Sequence, residues 1–439
     1  MREIVLIFVV SCLCVAAPLY PLWGLFGWVW FALCRPDALA FSFRQYSLFI
    51  VIFTFLGSVR YLGRIAAVFQ NPFSAALVAL QVPLAASVVF GRDPALAWDS
   101  YSDFLRMFAV LLLIPMLCQT LDQIRWLIVV MAFSIGTIGL KFGLWGVLQG
   151  GARFVNGYYG MMSDNNTLAL GLVMAVPLCW YARELVDQKH FKWMFLAMAF
   201  FSMMAVIMTY SRGGFLAISV VLLVLFIRAK RKILVGVALT AGVAVTVFLL
   251  GQTYLDRVST IATPDEEGSA VSRMALARLG LRMGLDHPIG GVGFGDKNEQ
   301  MVMEEYMAFE PDLRTTQVIH NNYLQIWVES GVSALLLYCG LLFGGIFWCS
   351  KVTRFLVIRA PRYAGIPQAI QVSMIGFAVG SLFLSRVQFD FIYMLFVACG
   401  ALHLVVRSMM EQERRDAAEQ LEAGVIPNSE SETAVSYQY

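Results

Sequence analysis

Charge is scarce in this chain: of 439 residues, 14% are Asp, Glu, Lys or Arg, against 59% hydrophobic. A soluble globule carries roughly a quarter of its residues as charges, so a water-soluble enzyme of this length is excluded. The mean hydropathy of +0.72 fits an all-α polytopic membrane protein. A formal net charge of +3 is too small to argue for nucleic acid, and none is expected as a partner. The eight cysteines (Cys12, Cys14, Cys34, Cys118, Cys179, Cys339, Cys349, Cys399) lie in hydrophobic runs or at their ends. They suggest neither a disulfide framework nor a thiolate metal site. A Walker lysine is missing, and Asp164-Asn165-Asn166 is one acid with two amides, better suited to sugar hydroxyls or a helix cap than to a metal. The glycine-rich run at 290–295 follows His287-Pro288 with no strand before it, so the dinucleotide fingerprint it formally resembles is rejected. No cofactor and no metal are expected.

What the chain has is long apolar runs. About 20 residues of helix cross a hydrocarbon core of roughly 30 Å. Runs of that kind begin near Gln45, Phe73, Asp103, Arg125, Thr167, Phe191, Gly213, Ile233, Leu324, Gln368 and Phe389. The stretch from Ile4 to Leu33 is broken by Pro18 and Pro21 and is either one kinked helix or two short ones, for twelve or thirteen spans. It is not read as a cleavable signal, because Met1-Arg2-Glu3 is a weak charged start and more spans follow directly. The organisation expected is about 12 transmembrane helices: a membrane bundle over 1–251, one large helical loop over 252–323, further spans over 324–407, and a polar tail over 408–439.

Basic residues orient the spans. Arg60 and Arg64; Arg183, Lys189 and Lys192; Arg228, Lys230, Arg231 and Lys232; and Lys351, Arg354, Arg359 and Arg362 fall in alternate loops, which the positive-inside rule makes cytoplasmic. The polar segment from Tyr254 to Gly331 then faces outward, with the loops over 35–44, 91–102, 150–166, 210–212 and 385–386. With one N-terminal helix, both termini are cytoplasmic and Arg2 sits on that side. Arg153, Asp164, Arg212, Arg273, His320, Arg386 and Asp390 all reach the outer face, and ionisable groups collected at one membrane interface point to a site there.

Among the four histidines, His190 and His403 fall on the cytoplasmic side as interface or packing residues, and His287 belongs to the turn before Pro288. His320 precedes a helical pattern, Tyr323, Trp327 and Gly331, with Asn321 and Asn322 placed to cap it. The positive end of that helix disfavours the imidazolium, and a neutral imidazole can act as a general base. The alternative is an interface histidine that only caps or hydrogen-bonds. Arg212, in Ser211-Arg212-Gly213-Gly214, either snorkels to headgroups or holds a diphosphate as a bidentate fork. If 272–285 is a helix, Arg273 shares a narrow face with Ala277, Gly280 and Gly284 that can pack closely, while Arg278 and Arg282 lie on another face, solvated.

Taken in order, Ser211-Arg212-Gly213, Ser272-Arg273, Asp286-His287-Pro288-Ile289-Gly290-Gly291-Val292-Gly293 and His320-Asn321 with Gly331 resemble the bacterial O-antigen ligase and O-antigen polymerase superfamily. Ser163-Asp164-Asn165-Asn166-Thr167 with Pro177-Leu178 is similar to the O-glycosylation ligases found with exosortase systems. The resemblance implies a GT-C-like membrane glycosyltransferase in the bacterial inner membrane, its site facing the periplasm. It would move a glycan from undecaprenyl diphosphate to an acceptor on lipid A core, a protein or another glycoconjugate, without a metal. By position His320 resembles the family's base and Arg212 and Arg273 its diphosphate ligands, with Arg153, Asp164, Asn165, Asn321, Arg386 and Asp390 as supporting residues. A polymerase would use the same donor, and nothing in these residues separates it from a ligase. A transporter is a third reading, disfavoured because the spans carry almost no acids and no half-to-half repeat.

Overall fold

The computed structural model describes residues 2–42, 45–150, 154, 156–229, 232, 236, 268–310, 318–384 and 386–422. Among them every regular element is a helix, and nine helices are long and apolar enough to cross a membrane. The all-α membrane architecture expected from composition is therefore present. The count of about twelve is not reached among the described residues, in part because the first two helices are short and most of the run from Ile233 lies outside them. Arg153, Ser385, the loop at 254–267 and the tail from 423 also lie outside the described residues.

Helices α1 (Arg2–Ala16) and α2 (Pro21–Cys34) fold back on each other. A Cβ at Gly27 would stand 2.9 Å from Leu13 Cδ1, and one at Gly24 2.7 Å from Ala17 Cβ. The two prolines thus mark a tight turn and not a kink. Each helix is about 21–22 Å long at 1.5 Å per residue, short of a core of roughly 30 Å. The hairpin corrects the placement of Arg2. Glu3 accepts hydrogen bonds from Ser42 Oγ at 2.9 Å and Tyr46 Oη at 3.3 Å, while Arg60 donates to the carbonyls of Pro18 and Leu19 in the turn. The start of the chain therefore lies on the face of Arg35, opposite Arg60.

Then follow α3 (Tyr46–Ser58), α4 (Pro72–Phe90), α5 (Pro94–Leu111) and α6 (Leu121–Leu148). A loop was expected up to Ser102, but α5 begins at Pro94. Asp93 Oδ1 accepts from the amides of Ala95 and Leu96, and proline at the first helical position is preorganised. Helices α7 (Asn165–Leu185), α8 (Lys189–Met208) and α9 (Arg212–Arg228) complete the first part of the bundle. Backbones touch where α6 meets α8: a Cβ at Gly139 would collide with Ser202, and one at Gly143 with the Phe201 carbonyl. Helix α7 is the most enclosed span.

Beyond the undescribed stretch come α10 (Gly268–Asp286), α11 (Asp296–Tyr306), α12 (Asn322–Arg359), α13 (Gly365–Gly380) and α14 (Asp390–Glu422). Helix α12 breaks at Gly331, where φ is 83° and ψ 173°. The glycine-rich turn repairs the break. Val292 N donates to Val328 O at 2.8 Å, Gly293 N to Glu329 O at 3.2 Å, and Val332 N to Pro288 O at 2.8 Å. Side chains at Gly291 or Gly331 would strike the backbone of the other segment, which is why this run is glycine. On the opposite face Arg362 pairs with Asp187 at 2.6 Å and Arg359 with Glu413 at 2.8 Å, so loops grouped by their basic residues lie together.

Candidate active site

The site is built on the start of α12. Asn321 is the N-cap residue, its Oδ1 accepting from Tyr323 N and Leu324 N at 3.0 Å each. Asn322, expected to share the capping, instead lies in the first turn, donating to Tyr338 Oη at 2.8 Å and accepting from Arg386 N at 3.0 Å. Its own amide donates to Ser381 O at 2.9 Å. His320 precedes the cap with φ 55°, a left-handed conformation costing a side-chain-bearing residue on the order of 1 kcal/mol. Such a conformation persists only where the surroundings hold it.

Helix α10 brings Arg273 to this point. A Cβ at Gly280 would lie 2.8 Å from Ile319 Cδ1, and one at Gly284 2.9 Å from the Trp327 ring. The small-residue face read from the sequence thus docks on the segment around His320, and Arg273 is on that same face. Ile319 is buried in one apolar cluster with Ala275, Leu276, Leu279 and Met283. Arg278 and Arg282 point elsewhere, Arg278 to Glu310 at 2.7 Å and Arg282 over the Phe309 ring at 4.6 Å.

His320 is pulled down to about 4, first by burial and then by the Arg273 guanidinium, with Asp164 opposing. The imidazole is therefore neutral at pH 7, as expected, but the cause differs from the helix macrodipole invoked from sequence. Asp164 caps α7, accepting from Asn166 N at 2.9 Å and from Thr167 Oγ1 at 2.7 Å. It also pairs with Arg386 at 3.5 Å. Burial pushes its carboxyl up, but the Thr167 hydroxyl and amide, Arg386 and the Asn166 amide outweigh it and hold the group below the usual range.

Arg212 opens α9 behind the cap of Ser211, whose Oγ accepts from Gly214 N at 3.2 Å. Gly213 lies under Phe383 and Gly214 under Ala169, so α9 starts against both the turn before α14 and the start of α7. Asn165 Nδ2 donates to Thr209 O at 3.1 Å and Asn321 Nδ2 to Leu382 O at 3.3 Å, tying the same turns together. His320, Arg273, Asp164 and Arg386 thus form one electrostatic group, Arg212 stands at its edge, and Asn165 and Asn321 brace it. Asp390 belongs to a neighbouring group, where the Arg35 charge acts on it and Arg35 pairs with Asp37 at 2.9 Å. His287 lies in the turn, its carbonyl accepting from Gly291 N at 3.2 Å.

Three acids escaped the sequence reading. Glu299 and Glu329 are buried, and Gln325 Nε2 donates to both Glu329 and Asp296 at 2.7 Å. Burial pushes Asp296 up against the opposing effects of Arg386 and Gln325. Glu299 goes up to about 8, from burial with Asp296 adding to it, although it accepts from Ile319 N. Glu329 is an exception to the sparseness of acids expected in the spans. The only signal was spacing: Gln325 and Glu329 are one turn apart on a helix, flanking the buried apolar Ile326 and Val328.

Residues 195–339, which hold Arg212, Arg273 and His320, match the O-antigen ligase family. That match, over about a third of the chain, supports the O-antigen ligase superfamily. Residues 1–187 match a second model, described as a family of unknown function (DUF5935), which contributes Asp164 and Arg35 to the site face. No curated protein matches the chain.

Proposed function

We propose that this O-antigen ligase family protein is an oligosaccharide ligase of the bacterial inner membrane. It moves a glycan from undecaprenyl diphosphate to an acceptor hydroxyl on lipid A core, a protein or another glycoconjugate at the periplasmic face. The observation that carries the reading is a half-buried, neutral His320 under the charge of Arg273, on a segment held by the Asn321 cap, the Asn322 amide and the Gly280 contact. Arg212 and Arg273 hold the diphosphate; His320 takes the proton of the acceptor hydroxyl as its oxygen bonds to the anomeric carbon. The carbon–oxygen bond to phosphate breaks on the opposite side, so configuration inverts and the leaving charge falls on the arginines. A free imidazole depressed to about 4 is a weak base. The arriving diphosphate offsets the Arg273 charge and raises its basicity, so the base strengthens once the donor is bound.

The nine long apolar helices among the described residues support a GT-C-like bundle. The test is transfer in a purified, reconstituted system containing chelator, with undecaprenyl diphosphate glycan and a panel of acceptors. His320→Ala is expected to lower turnover by about 10²–10⁴-fold with donor binding retained. Growth of the glycan on its lipid carrier would make the protein a polymerase. Full transfer by the His320→Ala variant would remove the base from the scheme.

A further inference from the structure

We infer that Glu299 is the positioning residue for His320, acting through the Ile319 amide, and that residues of the N-terminal family region fix Glu299 in turn. The inference rests on the reading of His320 as the base. Glu299 is fully buried on α11, and its Oε1 accepts from Ile319 N at 2.7 Å, one residue before His320. The cap and the Asn322 amide hold the chain after His320, whereas the Glu299 bond holds it before, and together they pin the left-handed backbone between them. Helix α11 is itself anchored next door. Asn298, also fully buried, accepts from Asp93 N at 2.8 Å and donates to Asp93 O at 3.1 Å, at the start of α5. A line of fixed backbone and side-chain groups therefore runs from Asp93, in the region of unknown function, through Asn298 and Glu299 to Ile319 and His320.

The role needs an acceptor of the right length and not a charge. Asp296 on its own helix and Glu329 on α12 are the acids that bear on Glu299, and burial among them favours the neutral acid, whose carbonyl oxygen serves the Ile319 amide. Glutamine reproduces that group; aspartate is one methylene short, and leucine leaves the amide unsatisfied.

The full-length protein is assayed for kcat and for KM toward the lipid diphosphate donor, with His320→Ala alongside. Glu299→Leu is expected to lower kcat by about 10–100-fold with KM within about twofold, because a displacement of roughly 1 Å suffices for such a loss. Glu299→Gln should stay within about threefold of wild type. If Glu299→Leu does not fold, the pair Glu299→Gln and Glu299→Asp decides, active Gln with slow Asp supporting the inference and equal rates overturning it. Unchanged kcat in Glu299→Leu, or a Gln variant as slow as Leu, overturns it while an inactive His320→Ala leaves the base reading intact. Transfer by His320→Ala sinks the base reading itself.

Discussion

Arg273 and Arg278 stand five residues apart on α10 and have opposite settings. Arg278 is 58% exposed and grips Glu310 with two bonds of 2.7 Å; Arg273 lies on the face that Gly280 and Gly284 press against Ile319 and Trp327, and its charge acts on a half-buried histidine. One helix thus carries a cation fastened to solvent-side structure and a cation placed in the site. What separates them is which face has side chains small enough to let another element approach. Counting arginines in the polar segment would have rated them alike.

The largest effect that would sharpen this contrast comes from keeping the charge and changing its shape. Arg273→Lys or Arg212→Lys is expected to lower kcat/KM by about 10–100-fold, a loss of roughly 1.4–2.7 kcal/mol, because a point charge cannot form a planar two-bond grip on diphosphate. Fully active lysine variants in the reconstituted assay would reduce both residues to headgroup anchors. A smaller effect is expected in pH dependence. The base works unprotonated, so activity falls as pH drops through its pKa: the acid limb of kcat/KM, which reports the donor-free enzyme, should lie near 4. The limb of kcat should lie higher, since bound diphosphate offsets Arg273. Coincident limbs would mean that Arg273 does not couple donor to base.

Much of the frame was legible because capping residues are local signals. Asp164, Ser211 and Asn321 each precede an apolar run, and each caps the helix that follows. The face shared by Arg273, Gly280 and Gly284 was legible for a similar reason, since helical spacing alone aligns them. The α1–α2 hairpin was left open by two prolines that fit either geometry, and the Leu13–Gly27 contact decides it. At α5 the Asp93-Pro94 start was a readable signal, but the polar residues Asp99, Ser100 and Ser102 follow it, and the span was read from Asp103 instead. Glu299 and Asp296 were not legible at all. An acid in a polar stretch reads as solvated, and only the docking of α11 between α5 and α12 turns it inward. The same holds for His320, whose depression comes from burial and a cation 47 positions away in the chain, neither visible in its neighbours.

The smallest effect belongs to the other arginine, and it tests the contrast from its bland side. Arg278→Ala removes both bonds to Glu310. Those bonds lie at the surface, where water and salt replace them readily, and Glu310 then returns from its lowered state toward the ordinary glutamate range. Nothing in that exchange reaches Ile319, because the Gly280 and Gly284 contacts that seat α10 are on the other face. Transfer by Arg278→Ala should therefore stay within about twofold of wild type, a ratio the assay can separate from the loss expected at Arg273. A loss as large as that of Arg273→Lys would mean that α10 is seated by its ion pair and not by its small residues, and the two arginines would then act on the site by the same route.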